Sequence, residues 1–168
     1  MKGIWRKVKT YVGTHWRQLV INACSFLLML LWIYASASKL GNYDQSQWEM
    51  RNQVFPDPLA DQLVWIVPSM EILLAIGLMA PQTRILALWA SGGLLLAFTL
   101  YIAITATKVF GRVPCSCGGI ISNMPYWLHA CFNIAYLGIV YLALYLHYGS
   151  VYINGWFHKS KGKEAIVV

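Results

Sequence analysis

Acidic side chains are scarce in this sequence: six Asp and Glu stand against 13 Lys and Arg, and charged residues fill only 11% of its 168 positions. So little charge excludes an ordinary soluble domain, whose surface is about 25–35% charged. Long polar stretches are scarce too. Apolar runs at about 19–40, 62–80, 85–107 and 126–147 leave connections of about 21, 4 and 18 residues, too short for a soluble catalytic module. No internal repeat is visible, which argues against a solute transporter built from duplicated halves around a proton site at Glu71. Cysteine is limited to four residues with one close pair, Cys115 and Cys117. Zinc needs four ligands, usually as two separated pairs, and His129 is the sole extra donor nearby, so a metal centre is not expected.

What is present is apolar: 58% of the residues are hydrophobic. Each of the four runs has about the 20 residues that a membrane-spanning helix needs. The expected fold is all-α, a single domain over 1–168, folded as an up-and-down bundle of four transmembrane helices with basic tails at 1–18 and 148–168. A basic start before an apolar run is also the form of a signal peptide, and Ala35, Ser36 and Ala37 imitate a cleavage site. The run exceeds the 7–15 residues of a signal-peptide core, so the first helix is expected to be retained.

Orientation follows from the basic residues. Lys2, Arg6, Lys7, Lys9, Arg17, Arg84, Lys159, Lys161 and Lys163 fall on one side of such a bundle. Lys39, Arg51, Lys108 and Arg112 fall on the other, offset by Asp44, Glu49, Asp57 and Asp61. The positive-inside rule then places both termini in the cytoplasm and the connection with the two cysteines outside, in the periplasm of a bacterium. The expected location is the inner membrane, as a multi-pass protein. The basic tails read as topology signals and contacts with anionic lipid, and no nucleic-acid partner is expected.

The cysteines lie in the run Val113, Pro114, Cys115, Ser116, Cys117, Gly118, Gly119. Residues i and i+2 cannot close a disulfide on a regular helix or strand, so the backbone must bend. Pro114 sets the entry angle, and Gly118 and Gly119 supply the φ freedom. A permanent structural disulfide is one reading, but a one-residue loop restrains little chain entropy. A redox-active pair explains the arrangement better, because so small a ring is strained and readily reduced. Cys115 reads as the attacking thiol, with Gly118 and Gly119 holding Cys117 nearer the fourth helix.

Inside the bundle, Glu71 is costly at membrane depth and needs a reason to be there. It is either a proton carrier or polar anchor for a cofactor head group, or a carboxyl joining helices through Thr99, Tyr101 or Tyr34. Pro68 one turn earlier breaks a helical hydrogen bond and leaves a carbonyl for Ser69, water or a ligand. Lys39 either snorkels to the head groups or turns inward to lower a thiol pKa or pair with Glu71. His129 assists proton transfer or makes an interfacial hydrogen bond. It shares a face with Asn133 four residues on, whereas Cys131 lies about 160–200° round the helix. Cys131 is either a resolving thiol or an apolar filler, and Cys24 is too remote from the outer turn for exchange.

These residues carry a resemblance. Ala37-Ser38-Lys39-Leu40, then Val67-Pro68-Ser69-Met70-Glu71 with Gly77-Leu78-Met79, then Pro114-Cys115-Ser116-Cys117-Gly118 resemble the MauE/DoxX family of small redox-associated membrane proteins. The resemblance implies disulfide formation or maturation of periplasmic proteins beside a thioredoxin-like partner, with Cys115 and Cys117 as the thiol pair and Glu71 and Lys39 as the matching polar positions. DoxX-type relatives imply quinone-dependent oxidation or an accessory-subunit role instead. The expected function is transfer of electrons or disulfides between a periplasmic thioredoxin-like or client protein and a membrane carrier, with quinone as the candidate cofactor at Glu71. The candidate site residues are Cys115, Cys117, Glu71, Lys39 and His129. The alternative is a non-enzymatic membrane subunit or chaperone that docks another protein in a membrane complex.

Overall fold

The computed structural model describes residues 2–53, 56–107 and 126–164, with side chains over 15–53, 56–107 and 127–149. The described secondary structure is helical: α1 (Lys2–Gly41), α2 (Tyr43–Arg51), α3 (Asp57–Met79), α4 (Arg84–Ala106) and α5 (Tyr126–Glu164). Four stretches are long and apolar enough to cross a bilayer: His15–Gly41, Asp57–Met79, Arg84–Ala106 and Trp127–Gly149. The chain is a multi-pass membrane bundle, with α1 and α5 continuing as helix beyond their spans.

Four spans in alternating directions make a square. Helix α1 packs against α3 and α5, and α4 against the same two, while α1 and α4 meet only slightly across the diagonal. The core is small and apolar: Leu28 and Trp32 of α1, Leu74 and Leu78 of α3, Leu88 and Leu95 of α4, Ala143 and Leu144 of α5. Larger apolar side chains such as Leu86, Trp127 and Tyr141 face outward, where lipid rather than water solvates them. Helices approach closely where residues are small. A Cβ on Gly77 would lie 3.0 Å from the Cβ of Ala87 across the α3–α4 contact. Gly77→Leu should therefore overpack this seam and cost about 1–3 kcal/mol in unfolding measurements in detergent.

One polar contact crosses the diagonal inside the core. The Trp32 indole N–H donates to Ser91 Oγ at 2.9 Å, and both residues are buried. Trp32→Phe keeps most of the ring and removes the donor, leaving the Ser91 hydroxyl without it. The expected loss is about 1–2 kcal/mol in the same unfolding assay.

The first connection is more ordered than its polar composition suggests, because it contains α2. Asp44 in its first turn and Arg51 in its last suit the helix dipole. Met50 packs with Ala60 and Val64 of α3, and Tyr43 lies against Trp65 with ring centroids 5.2 Å apart. Polar contacts fix the rest. Arg51 donates twice to Asp61, at 2.8 and 2.9 Å, an attraction that raises the guanidinium pKa further above its ordinary value. Tyr101 of α4 donates to the buried Gln53 at 2.6 Å, and Ser46 Oγ donates to the carbonyl of Lys39 at 3.0 Å. Helix α2 therefore closes over the end of the bundle where α1 finishes and α3 begins.

Helix α3 starts as its sequence demands, with Pro56 as N-cap, proline in the first turn and Asp57 beside it. Pro68 sits inside α3 and is buried. Having no N–H, it cannot bond the carbonyl four residues back. Ser69 does not take that carbonyl, since its hydroxyl donates to Trp65 O at 2.7 Å.

Candidate functional site

Lys39 occupies the last turn of α1, where a cation suits the helix C-terminus. It turns inward. Its Nζ donates to Glu71 Oε1 at 2.7 Å and to Ala35 O at 3.3 Å, with 13% of the Lys39 side chain exposed and none of Glu71's. Of the readings open for these residues, the structure takes the inward pair over snorkelling. Of the suggested partners of Glu71, Thr99 donates to Leu95 O and Tyr101 to Gln53, while Tyr34 lines the same cavity as Glu71.

The pair borders a cavity of about 60 Å³. Tyr34, Ala35, Ser38 and Lys39 line it from α1, Glu71 from α3, Leu95 and Phe98 from α4, and His129, Phe132 and Asn133 from α5. The lining obeys helical spacing: positions 34, 35, 38 and 39 form one face of α1, and 129, 132 and 133 one face of α5. Lys39, Glu71 and His129, which the sequence places on three separate helices, thus converge on one space. Asn133 joins them. Glu71 Oε2 and Asn133 Nδ2 are buried without a protein hydrogen bond, and both residues line the cavity. A cavity this size has room for a few waters, and those two atoms are the groups such water would bridge. It is well below the roughly 300–1,000 Å³ of cofactor pockets, so a quinone ring does not fit at Glu71 within the described walls.

The cysteines divide differently. Cys131 is exposed on α5 and does not line the cavity, as its angular offset from His129 and Asn133 requires. Cys24 is buried in the core nearer the other end of α1. Cys115 and Cys117 lie outside the described residues. The connection that contains them joins Ala106 to Tyr126, and these helix ends stand at the same end of the bundle as Lys39 and α2. No group of three or more His, Cys, Asp or Glu able to hold a metal occurs among the described residues.

Sequence reasoning passed over Ser38, Phe98 and Phe132 in this lining, although i, i+4 spacing from Tyr34 and i, i+3 spacing from His129 marked two of them. It also passed over Gln53, whose only signal was a polar residue following an amphipathic segment.

Comparison with known proteins gives one consistent answer. The family model for methylamine utilisation protein MauE matches residues 17–146. The methylamine utilization protein MauE of Paracoccus denitrificans is 29% identical over 100 residues, covering 59% of this chain and 54% of that protein. The chain thus spans about half the length of this curated relative. No solved structure matches.

Proposed function

Because the chain belongs to the MauE family, we propose that it is a thiol–disulfide redox protein of the bacterial inner membrane, serving a system such as the methylamine utilisation for which its relative is named. In this reading Cys115 and Cys117 face the periplasm. Their disulfide is attacked by a thiolate of a thioredoxin-like or client protein, and a mixed disulfide forms as the Cys–Cys bond breaks. A second partner thiolate resolves it. The partner becomes the disulfide, and two electrons and two protons pass to Cys115 and Cys117. A two-electron membrane carrier of the quinone class then reoxidises the pair and receives both electrons and protons.

The observation that carries this reading is the buried Lys39–Glu71 ion pair sharing a hydrated-size cavity with His129, at the end of the bundle from which the cysteine connection departs. Paired intramembrane charges are rare, and proton relays are one of the uses they mark. Glu71 and His129 supply groups that accept and return protons during reoxidation, and Lys39 holds the carboxylate in place. In this reading Glu71 handles protons, in keeping with a cavity smaller than cofactor pockets, and the carrier meets the thiols nearer the membrane surface.

The test is the redox state of Cys115 and Cys117 in living cells, read by alkylation in strains with and without quinone synthesis. The reduced form should accumulate when quinone is lacking. A pair that stays oxidised under every condition would reject the relay and leave a structural disulfide.

A further inference from the structure

A second, larger cavity lies away from the polar site. It is a groove of about 1110 Å³ between α4 and α5 on the outer surface, with Gly92, Gly93, Leu96, Leu137 and Val140 among its walls. Two adjacent glycines on α4 lower one wall, and at Gly93 a Cβ would meet nothing within 4 Å. One mouth is polar. There Arg17 approaches Gly149, its Nη1 lying 3.9 Å from where a Cβ would stand, and the Trp89 indole donates to the Tyr148 hydroxyl at 3.2 Å. Arg17 forms no ion pair with an acidic side chain among the described residues, and its guanidinium lies over the Trp16 ring, 5.5 Å from the centroid.

Length identifies the kind of occupant. From Leu137 to Gly149 the α5 wall covers about 18 Å at 1.5 Å per residue, close to the roughly 15 Å that is half of a bilayer's hydrocarbon core. The groove therefore fits a molecule that starts at one interface and ends near the midplane. A partner's transmembrane helix would need the full thickness. At the mouth stands a cation without a counter-ion among the described residues, beside an indole and a phenol of the sort that sit at head-group level. From this we infer that the groove is a binding site for an anionic phospholipid, with an acyl chain along α4 and α5 and the phosphate on Arg17. Basic pockets between membrane helices hold such head groups by the same chemistry.

Native mass spectrometry of the whole protein in detergent, titrated with phosphatidylglycerol or with phosphatidylcholine of identical chains, tests this. The unaltered protein should bind phosphatidylglycerol more tightly. Arg17→Gln should weaken phosphatidylglycerol binding about fivefold and bring the two lipids level. Gly93→Leu, which has room to fold, should fill the chain seat and weaken both lipids. Gly138→Leu places the same side chain on α5 in open space away from the groove and should change neither. Equal affinity of the unaltered protein for both lipids would overturn the proposal, as would unchanged binding in Gly93→Leu at an unaltered melting temperature. Displacement by Gly93→Leu of a quinone or of a second copy of the chain, in place of phosphatidylglycerol, would overturn it too.

Discussion

Lys39→Met should destabilise the bundle by about 3–5 kcal/mol, measured as unfolding in mixed micelles, because it leaves a fully buried carboxylate without its counter-charge. Lys39→Met combined with Glu71→Gln should recover most of that loss. The recovery is the informative part. Two groups brought together out of water each lose hydration, and their mutual attraction roughly offsets that loss, so removing both is far milder than removing one. A double-mutant cycle with a coupling energy of several kcal/mol would establish that the 2.7 Å contact persists in the membrane. Strict additivity of the single changes would show that Lys39 faces the head groups instead.

Replacing Cys115 and Cys117 together by serine should reduce partner oxidation to background while leaving the amount and stability of the protein nearly unchanged. A disulfide closing so small a loop contributes only about 1 kcal/mol by chain entropy, so loss of folding is not expected to obscure the result. A docking subunit would retain most of its function in this variant. The single changes order the steps: Cys117→Ser should trap a mixed disulfide between Cys115 and the partner, and Cys115→Ser should trap none. The opposite pattern would make Cys117 the sulfur that exchanges with the partner.

The four spans were legible because an apolar run of about 20 residues, wound as a helix, has the length of a bilayer's hydrocarbon core. The polar site was legible in its members. A glutamate at membrane depth demands company, and the lysine ending α1 and the histidine opening α5 lie at heights from which they can provide it. Their distances and the choice of Lys39 over Thr99 or Tyr101 depend on helix rotation, which no local pattern sets. Helix α2 was hidden for another reason. Its nine residues are mostly polar, and it is held by contacts to positions far along the chain, including Asp61 and, through Gln53 just beyond it, Tyr101. Run length sees none of these.

Charged side chains tie the bundle across different helices near both of its ends. Near one end Lys39 joins α1 to α3; near the other, Arg84 at the start of α4 donates to Asn22 of α1 at 2.7 Å. A helix held at both ends by such ties is not free to slide past its neighbours. When the surrounding bilayer is thicker or thinner than the apolar spans, the mismatch must be met by tilting all four helices as one body or by deforming the lipid around them. The depth of Glu71 then varies with the inclination of the whole molecule, while the cavity beside it keeps its dimensions from one membrane to another.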